Sequence, residues 1–158
     1  MSYNSLTLTS DCPEATEKLA HRLGQVVGAG DVLLLEGDIG AGKTYFARSL
    51  IQSLLIIPED IPSPTFTLIQ MYEANDFEIW HSDLYRLSSP DEIVELGLTE
   101  AFHTALCLVE WPSRLGDLAP CSALTLKFET TLSEESRQLC LSWTDAKWDK
   151  RMKDIQGG

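Results

Sequence analysis

The sequence predicts a single α/β domain, a sandwich whose central sheet is mainly parallel with added antiparallel strands and carries helices on both faces. Its 158 residues match one compact domain, and a hydrophobic fraction of 44% is enough for an ordinary core. Two continuous apolar runs, at 32–35 and 105–109, are typical of strands buried on both faces of a parallel sheet. Because helical patterns separate most of the predicted strands, the order of elements favours an α/β arrangement.

The first half of the chain predicts strand, helix, strand and helix. Residues 5–10 alternate apolar and polar side chains, as a half-buried strand does. The following segment has apolar residues at helical spacing, and Gly28 or Gly30 is expected to end that helix. The apolar run within 31–37 is the central strand, and residues 42–56 continue as the second helix.

The second half predicts a β-hairpin, a third helix and three further strands after a proline-rich loop. The hairpin consists of two alternating strands joined by a short turn. A serine cap and a proline begin the third helix. The loop, the two hairpin strands, the helix, the buried strand and the closing pair of strands occupy 58–66, 67–73, 77–85, 89–103, 105–111, 121–130 and 136–143. We expect residues 1–145 to form the domain and 146–158 a C-terminal tail that is a short helix or disordered.

The charge and cysteine content limit the environment and the partners. The chain has 24 acidic and 12 basic residues, and its net charge is −12. Such a surface repels a phosphate backbone, so any involvement with RNA is expected to run through a partner. The four cysteines form no CxxC pair, and neither a signal peptide nor a membrane-spanning run is evident. We therefore expect a cytoplasmic protein whose thiols are reduced.

Residues 37–44, GDIGAGKT, match the phosphate-binding pattern GxxxxGK[ST] between a predicted strand and a predicted helix. Glycines let successive N–H groups point at a phosphate, and the helix N-terminus adds partial positive charge. Lys43 is expected to contact the β and γ phosphates, and the Thr44 hydroxyl to bind Mg²⁺. The other residues expected around the phosphates are Asp38, Ile39, Gly40, Ala41 and Gly42. The motif makes the predicted fold a P-loop NTPase-like one.

Two acids at strand ends are candidates for the chemistry. Hydrolysis of a bound nucleotide needs a further carboxylate near Mg²⁺, usually at the end of a strand beside the phosphate site. Asp83 ends the FEIWHSD strand, and Glu110 ends LCLVE. Four apolar residues followed by an acid make Glu110 the stronger Walker B candidate.

The motifs favour an ATPase over other nucleotide-binding proteins. No NKxD-type base reader of a GTPase is present, and the arginines are too dispersed for the acceptor site of a typical small-molecule kinase. That kinase remains the alternative, and a nucleotide-loaded switch that never turns over is a third possibility, which the two acids disfavour. Because no arginine finger or water-orienting glutamine is evident, we expect weak hydrolysis by the chain alone.

Four motifs together resemble one family. In chain order, GDIGAGKT, SPTFTL, HSDLYRL and LVEWPSRL are similar to motifs of the TsaE family, the bacterial ATPases of tRNA threonylcarbamoyladenosine biosynthesis, over roughly residues 5–143. The resemblance implies an ATP- and Mg²⁺-dependent accessory protein, required for N6-threonylcarbamoyladenosine at position 37 of tRNAs that read codons starting with A. It also implies two partners, a TsaD-type transferase subunit and its TsaB-type paralogue, which hold the tRNA and on whose complex ATP hydrolysis acts.

The resemblance further implies roles for single residues. Asp83 and Glu110 match the acids of the family, so both are expected to act in catalysis and, with Thr44, at Mg²⁺. Thr65 and Thr67 lie in SPTFT, which is similar to a switch loop that meets the γ-phosphate or Mg²⁺.

Other positions are carried over with alternatives left open. Arg137 falls where the family has an arginine near the nucleotide, although a solvated strand arginine is the other interpretation. Trp111 is expected beside the site, at a partner, or simply in the core, and the turn at 10–13 near the adenine. Tyr45 departs from the small residue of many relatives and is expected to point away. Strand alternation puts His81 on the face of the Asp83 carboxylate, where a packed histidine is favoured over one that bonds a catalytic group.

Overall fold

A computed structural model describes residues 4–38, 41–57, 59–61, 68–133 and 135–157. None of the helices within these ranges has the length and apolarity needed to span a bilayer. The elements, in chain order, are β1 (Asn4–Ser10), α1 (Pro13–Gly24), β2 (Val32–Glu36), α2 (Lys43–Leu54), β3 (Ile69–Glu73), β4 (Glu78–Asp83), α3 (Pro90–Glu95), α4 (Leu98–Thr104), β5 (Leu106–Glu110), a 3₁₀ segment (Pro112–Leu118), β6 (Leu124–Thr130), β7 (Arg137–Trp143) and α5 (Lys147–Gly157).

The strands form one sheet in the order β1-β7-β6-β2-β5-β4-β3. Its centre, β6-β2-β5-β4, is parallel, whereas β1, β7 and β3 add antiparallel pairs at the two sides. The predicted sheet is thus confirmed, including its central apolar strand, the hairpin of β3 and β4, and the closing pair of β6 and β7. The carboxyl ends of the four parallel strands meet at one edge, which is where ligands bind in open α/β sheets.

Alternate residues of the central strand enter two separate cores. Leu33 and Leu35 of β2 belong to one buried cluster, and Val32 and Leu34 belong to the other. Because successive strand side chains point to opposite faces, a strand buried on both faces must be apolar throughout. This is the reason that the run at 32–35 shows no alternation.

Helices cover both faces of the sheet, as predicted. α1, α2 and α5 share one buried cluster, to which they contribute Leu23, Phe46 and Trp148. α3 and α4 share the cluster on the opposite face, to which they contribute Ile93 and Phe102. The P-loop NTPase-like sandwich is therefore the architecture of the chain.

The last helix is fixed to the start of the central strand by a buried acid. Asp31 is 5% exposed. Its two oxygens lie 2.9 Å from Lys147 Nζ and 2.9 Å from Arg151 Nη1, on successive turns of α5. A carboxylate with so little water needs such partners, and these two tie α5 to the turn before β2.

Two predicted helix boundaries are wrong. α1 ends at Gly24, before Gly28 and Gly30, because the chain already turns there and the Gly28 N–H donates to the Asp31 carboxylate at 2.8 Å. The helix predicted over 89–103 is two helices, α3 and α4. Gly97 separates them with φ of +82°, a left-handed conformation that ends a helix.

The turn between β2 and α2 depends on glycine at its first position. Gly37 has φ of +146°, and a Cβ there would lie 2.7 Å from the carbonyl oxygen of Phe128 on β6. The backbone at Gly37 therefore lies so close to the backbone of β6 that only a residue without a side chain fits. Gly42, at the other end of the turn, has φ of +104° and immediately precedes α2.

We predict that Gly37→Ala destabilises the protein by about 1–3 kcal/mol, because alanine adds both a strained φ and a backbone clash. Gly28→Ala is the matched control, since its Cβ would meet nothing closer than 3.9 Å. The control is expected to leave stability unchanged or to raise it by less than about 1 kcal/mol. Urea unfolding measures both, and equal stabilities of the two variants would contradict the assigned role of Gly37.

Candidate active site

Lys43 lies at the centre of the edge where the parallel strands end. It opens α2, and only 5% of it is exposed. Its Nζ donates a hydrogen bond to the Gly37 carbonyl oxygen at 2.5 Å and lies 3.6 Å from the centre of the Trp111 ring. The lysine thus folds back over the glycine turn and is held there by a carbonyl dipole and an aromatic face.

Burial lowers the pKa of Lys43, and the negative charges of Glu110, Asp83 and Asp38 partly oppose that shift. Burial acts in this direction because the charged form loses its hydration. Among the described residues, the ammonium group donates to a carbonyl oxygen and forms no ion pair with a carboxylate. A phosphate at the mouth of the turn is a ligand that would supply an anionic partner.

Glu110 links the end of β5 to α2 and β4. It ends β5, opposite Leu35 of β2, and is 2% exposed. Its Oε1 accepts a hydrogen bond from Thr44 Oγ1 at 2.8 Å, and its Oε2 lies 2.7 Å from His81 Nε2. Both oxygens of a buried carboxylate are thereby satisfied.

Asp83 lies beside Glu110, because β4 and β5 pair these two residues in register. Its Oδ1 accepts a hydrogen bond from the Tyr85 N–H at 3.0 Å. Burial raises the pKa of Asp83, and so does the charge of Glu110, while the Tyr85 N–H, His81 and Lys43 oppose the rise. An acid whose pKa is raised by burial and by the charge of a neighbouring acid is the kind of site that a cation stabilises.

The arrangement of the acids fits a Mg²⁺ ion that also binds phosphate and water better than it fits a metal ion coordinated only by protein side chains. Within the described residues, no group of three or more His, Cys, Asp or Glu side chains is arranged to hold a metal ion. Mg²⁺ typically takes one or two carboxylates, together with phosphate oxygens and waters. Thr44, Glu110 and Asp83 offer a hydroxyl and two carboxylates at one edge of the sheet, which matches that requirement.

Trp111 closes one side of the site. Its φ of +60° and ψ of +53° place a non-glycine residue in the left-handed region, directly after Glu110. Such a conformation is unfavourable for a bulky residue and requires support from its surroundings. The ring packs against Tyr85 at 4.9 Å between centroids and against the Lys43 ammonium. The structure therefore places Trp111 beside the site.

A cleft of about 330 Å³ opens on the other side of the glycine turn. Arg137, at the start of β7, donates from Nε to the Ala41 carbonyl oxygen at 3.1 Å. Tyr45 points away from Glu110, and its hydroxyl donates to the Pro13 carbonyl oxygen at 3.2 Å. The cleft is lined by Pro13, Thr16, Ala41, Gly42, Tyr45, Phe128, Glu135 and Arg137.

The structure brings together most of the predicted site residues. The edge at which the parallel strands end brings together Lys43, Thr44, Asp83 and Glu110. Asp38, Ala41, Gly42 and Arg137 belong to the turn or contact it. Ile39, Gly40, Thr65 and Thr67 lie outside the described residues.

Sequence reasoning underestimated two residues. The interpretation that favoured a packed His81 is incomplete, because this fully buried histidine also bonds to Glu110. Strand alternation predicts the face of the sheet on which His81 lies, but it does not predict the contact with Glu110 on β5. Tyr45 was expected only to point away, and it also lines the cleft. No signal in the sequence indicated that contact, since the cleft joins segments far apart in the chain.

Sequence comparisons with known proteins agree on one family. A family model described as threonylcarbamoyl adenosine biosynthesis protein TsaE matches residues 10–139. The tRNA threonylcarbamoyladenosine biosynthesis protein TsaE of Rickettsia felis is 42% identical over 127 residues, which cover 80% of this chain and 73% of that protein. The protein of the same name from Bacillus subtilis is 38% identical over 124 residues, with coverage of 78% and 77%. A crystal structure of YdiB from Bacillus subtilis superposes with a TM-score of 0.82 at 27% identity, covering 99% of this chain and 97% of that one.

We predict that Asp83→Asn makes the ligand-free protein more stable at pH 7. The raised pKa means that the folded state favours the protonated acid, so ionisation of Asp83 destabilises the fold as pH rises above its usual value of 3.8. Asparagine keeps the acceptor for the Tyr85 N–H without the charge. The expected gain is on the order of 1 kcal/mol at pH 7, and it should vanish toward pH 4.

Urea unfolding at both pH values, in the presence of EDTA, measures this difference. Asp154→Asn, an exposed position on α5, is the control and should change stability by less than about 0.5 kcal/mol. A gain that is absent at pH 7, or that grows on acidification, would show that Asp83 is not destabilised by burial.

Proposed function

The chain belongs to the TsaE family of threonylcarbamoyl adenosine biosynthesis proteins, and from that premise we propose that it is a Mg²⁺-dependent ATPase that assists this modification of tRNA. The modified nucleoside is N6-threonylcarbamoyladenosine at position 37 of tRNAs reading codons that begin with A. The single observation that carries the ATPase proposal is the Thr44–Glu110 hydrogen bond beside Lys43. It joins the hydroxyl of a phosphate-binding motif to a strand-end acid, the pair that holds Mg²⁺ in P-loop NTPases.

Each residue of the site has a part in this chemistry. Lys43 would leave the Gly37 carbonyl and the Trp111 ring to contact phosphate oxygens, and its charge would be stabilised there. Thr44 and Glu110 would hold Mg²⁺ directly or through water. Asp83 would complete the acidic side of the shell and orient the attacking water. Bound Mg²⁺ would neutralise charge that develops on the transferred phosphoryl group.

The cleft beside the glycine turn supports a place for the nucleobase. It adjoins Ala41 and Gly42, so a nucleotide with its phosphates in the turn can extend into it. Pro13 and Phe128 offer apolar surfaces, on which a purine ring can lie. ATP is preferred over GTP in this proposal, because the sequence carries no NKxD-type guanine reader.

The charge of the chain supports a partner-dependent role, which we propose to be in the cytoplasm. With a net charge of −12, this protein is poorly suited to hold tRNA itself. We assign tRNA binding to a TsaD-type transferase subunit and a TsaB-type paralogue, on whose complex ATP hydrolysis acts. Partner-supplied groups would also complete a site that has no evident arginine finger.

The first test is nucleotide binding. Lys43→Ala is expected to weaken ATP binding at least about 100-fold, because it removes a charged contact to phosphate worth roughly 3 kcal/mol. Lys18→Ala, an exposed change on α1, should leave the affinity unchanged. Calorimetric titration with ATP and Mg²⁺ measures both variants. An unchanged dissociation constant for Lys43→Ala would refute the phosphate assignment.

The second test is hydrolysis of ATP by the chain alone and with the two purified partner proteins. Turnover is expected to be low alone and to rise with the partners. Glu110→Gln should lower the stimulated rate at least about 100-fold while leaving the ATP dissociation constant within threefold, because it keeps the size and loses the charge of the side chain.

Glu129→Gln, on the exposed part of β6, is the matched control and should hydrolyse ATP at the wild-type rate. A Glu110→Gln variant with normal turnover would remove this acid from the mechanism. Transfer of phosphate to a small acceptor, rather than to water, would instead favour the kinase alternative.

A further inference from the structure

His81 makes a polar contact with Glu110, but it has no role in the proposed chemistry so far. It lies on β4, is fully buried, and faces the same side of the sheet as Asp83. Its Nε2 lies 2.7 Å from Glu110 Oε2, across the boundary between β4 and β5. A buried imidazole with one short contact to a catalytic acid has a role that packing alone does not explain.

The two donors to Glu110 act on different oxygens. Thr44 bonds to Oε1, and His81 bonds to Oε2. A carboxylate held at one oxygen can still rotate about its last bond, whereas contacts at both oxygens fix its plane. Thr44 belongs to α2, the helix that follows β2, and His81 belongs to β4, the strand that pairs with β5. Two different elements therefore set the orientation of the Glu110 carboxylate.

The contact with Glu110 also indicates that Nε2 of His81 carries a proton. An ionised carboxylate only accepts hydrogen bonds, so the proton must be on Nε2. Nδ1 has no hydrogen-bond partner within the described part of the chain. The contact with Glu110 is therefore the one hydrogen bond of this imidazole among the described residues. The ring is oriented so that Nε2 reaches the acid, while the buried Nδ1 stays without a hydrogen-bond partner among those residues.

We propose that His81 is a positioning residue for ATP hydrolysis, which acts by fixing the Glu110 carboxylate through Nε2–H. The inference rests on the proposed function, since it assigns a supporting residue to the same site. His81 does not hold the nucleotide, because its donor is occupied by Glu110. Its loss should therefore slow turnover without weakening ATP binding.

The kinetic test compares two replacements of His81 in the presence of the partner proteins. His81→Leu removes the donor, and kcat is expected to fall about 10- to 100-fold, the usual effect of losing a group that orients a metal-site ligand. KM for ATP should stay within about twofold. His81→Gln places an amide N–H at a similar reach and should recover most of the rate. His103→Gln, on the exposed face of α4, is the control with unchanged kinetics.

Folding of each variant is checked by its urea midpoint. If His81→Leu does not fold, His81→Asn replaces it, since asparagine stays polar but is too short to reach Glu110. A normal kcat in the donor-lacking variant overturns the inference while Glu110→Gln still supports the ATPase. Equal losses in the leucine and glutamine variants, with a raised KM, indicate a structural role only and also overturn it.

A second measurement does not depend on turnover. The chain has three histidines, so ¹⁵N spectra of the imidazoles can be assigned with His103→Gln and His21→Gln. His81 is expected to be protonated at Nε2, and its signal should shift in Glu110→Gln but not in Glu129→Gln. An imidazole without a proton on Nε2 overturns this inference alone. A wild-type chain that hydrolyses no ATP even with its partners overturns the proposed function, and the positioning role with it.

Discussion

The hydrogen bond between Thr44 and Glu110 is the contact on which the geometry of the site depends. It ties the first turn of α2 to the end of β5, and the parallel register of β2 and β5 makes it possible by placing Leu35 opposite Glu110. A shift of one residue in that register would turn the acid to the other face of the sheet. The turn that begins at Gly37 leads from β2 toward α2, and a Cβ at Gly37 would lie 2.7 Å from the Phe128 carbonyl oxygen.

The site gathers ionisable groups that would be more stable in water. Lys43 has a lowered pKa and Asp83 a raised one, and burial is the first cause of both shifts. The charged states of the two residues are therefore disfavoured, although they lie close together. An anionic ligand would stabilise the lysine and a cation the acids, so a nucleotide with Mg²⁺ meets both needs at once. Instability of this kind is typical of sites that trade fold stability for function.

The sequence predicts those parts of the structure that local pattern determines. The uninterrupted apolar run of β2, the motif around Lys43 and the acid at the end of β5 each follow from a few neighbouring residues. The break at Gly97 and the early end of α1 were missed, because a glycine tolerated inside a helix and one that ends it look alike in sequence. Strand alternation leaves open whether His81 bonds a catalytic group, but neither its partner Glu110 nor the cleft at Tyr45 could be predicted, since both depend on strand register and on packing between distant segments.

The two acids are held differently, and this difference separates their roles. Glu110 is 2% exposed and has a donor on each oxygen, from side chains of α2 and β4. Asp83 is 9% exposed and, among the described residues, accepts a hydrogen bond from one backbone N–H; burial raises its pKa, and so does the charge of Glu110. A carboxylate fixed at both oxygens keeps its position when ligands arrive, and so serves as a reference point for the metal. A cation stabilises most the acid whose pKa is raised and whose carboxylate is bonded at one oxygen. Asp83 is therefore the member of the pair whose protonation and orientation should change as nucleotide and metal bind and leave.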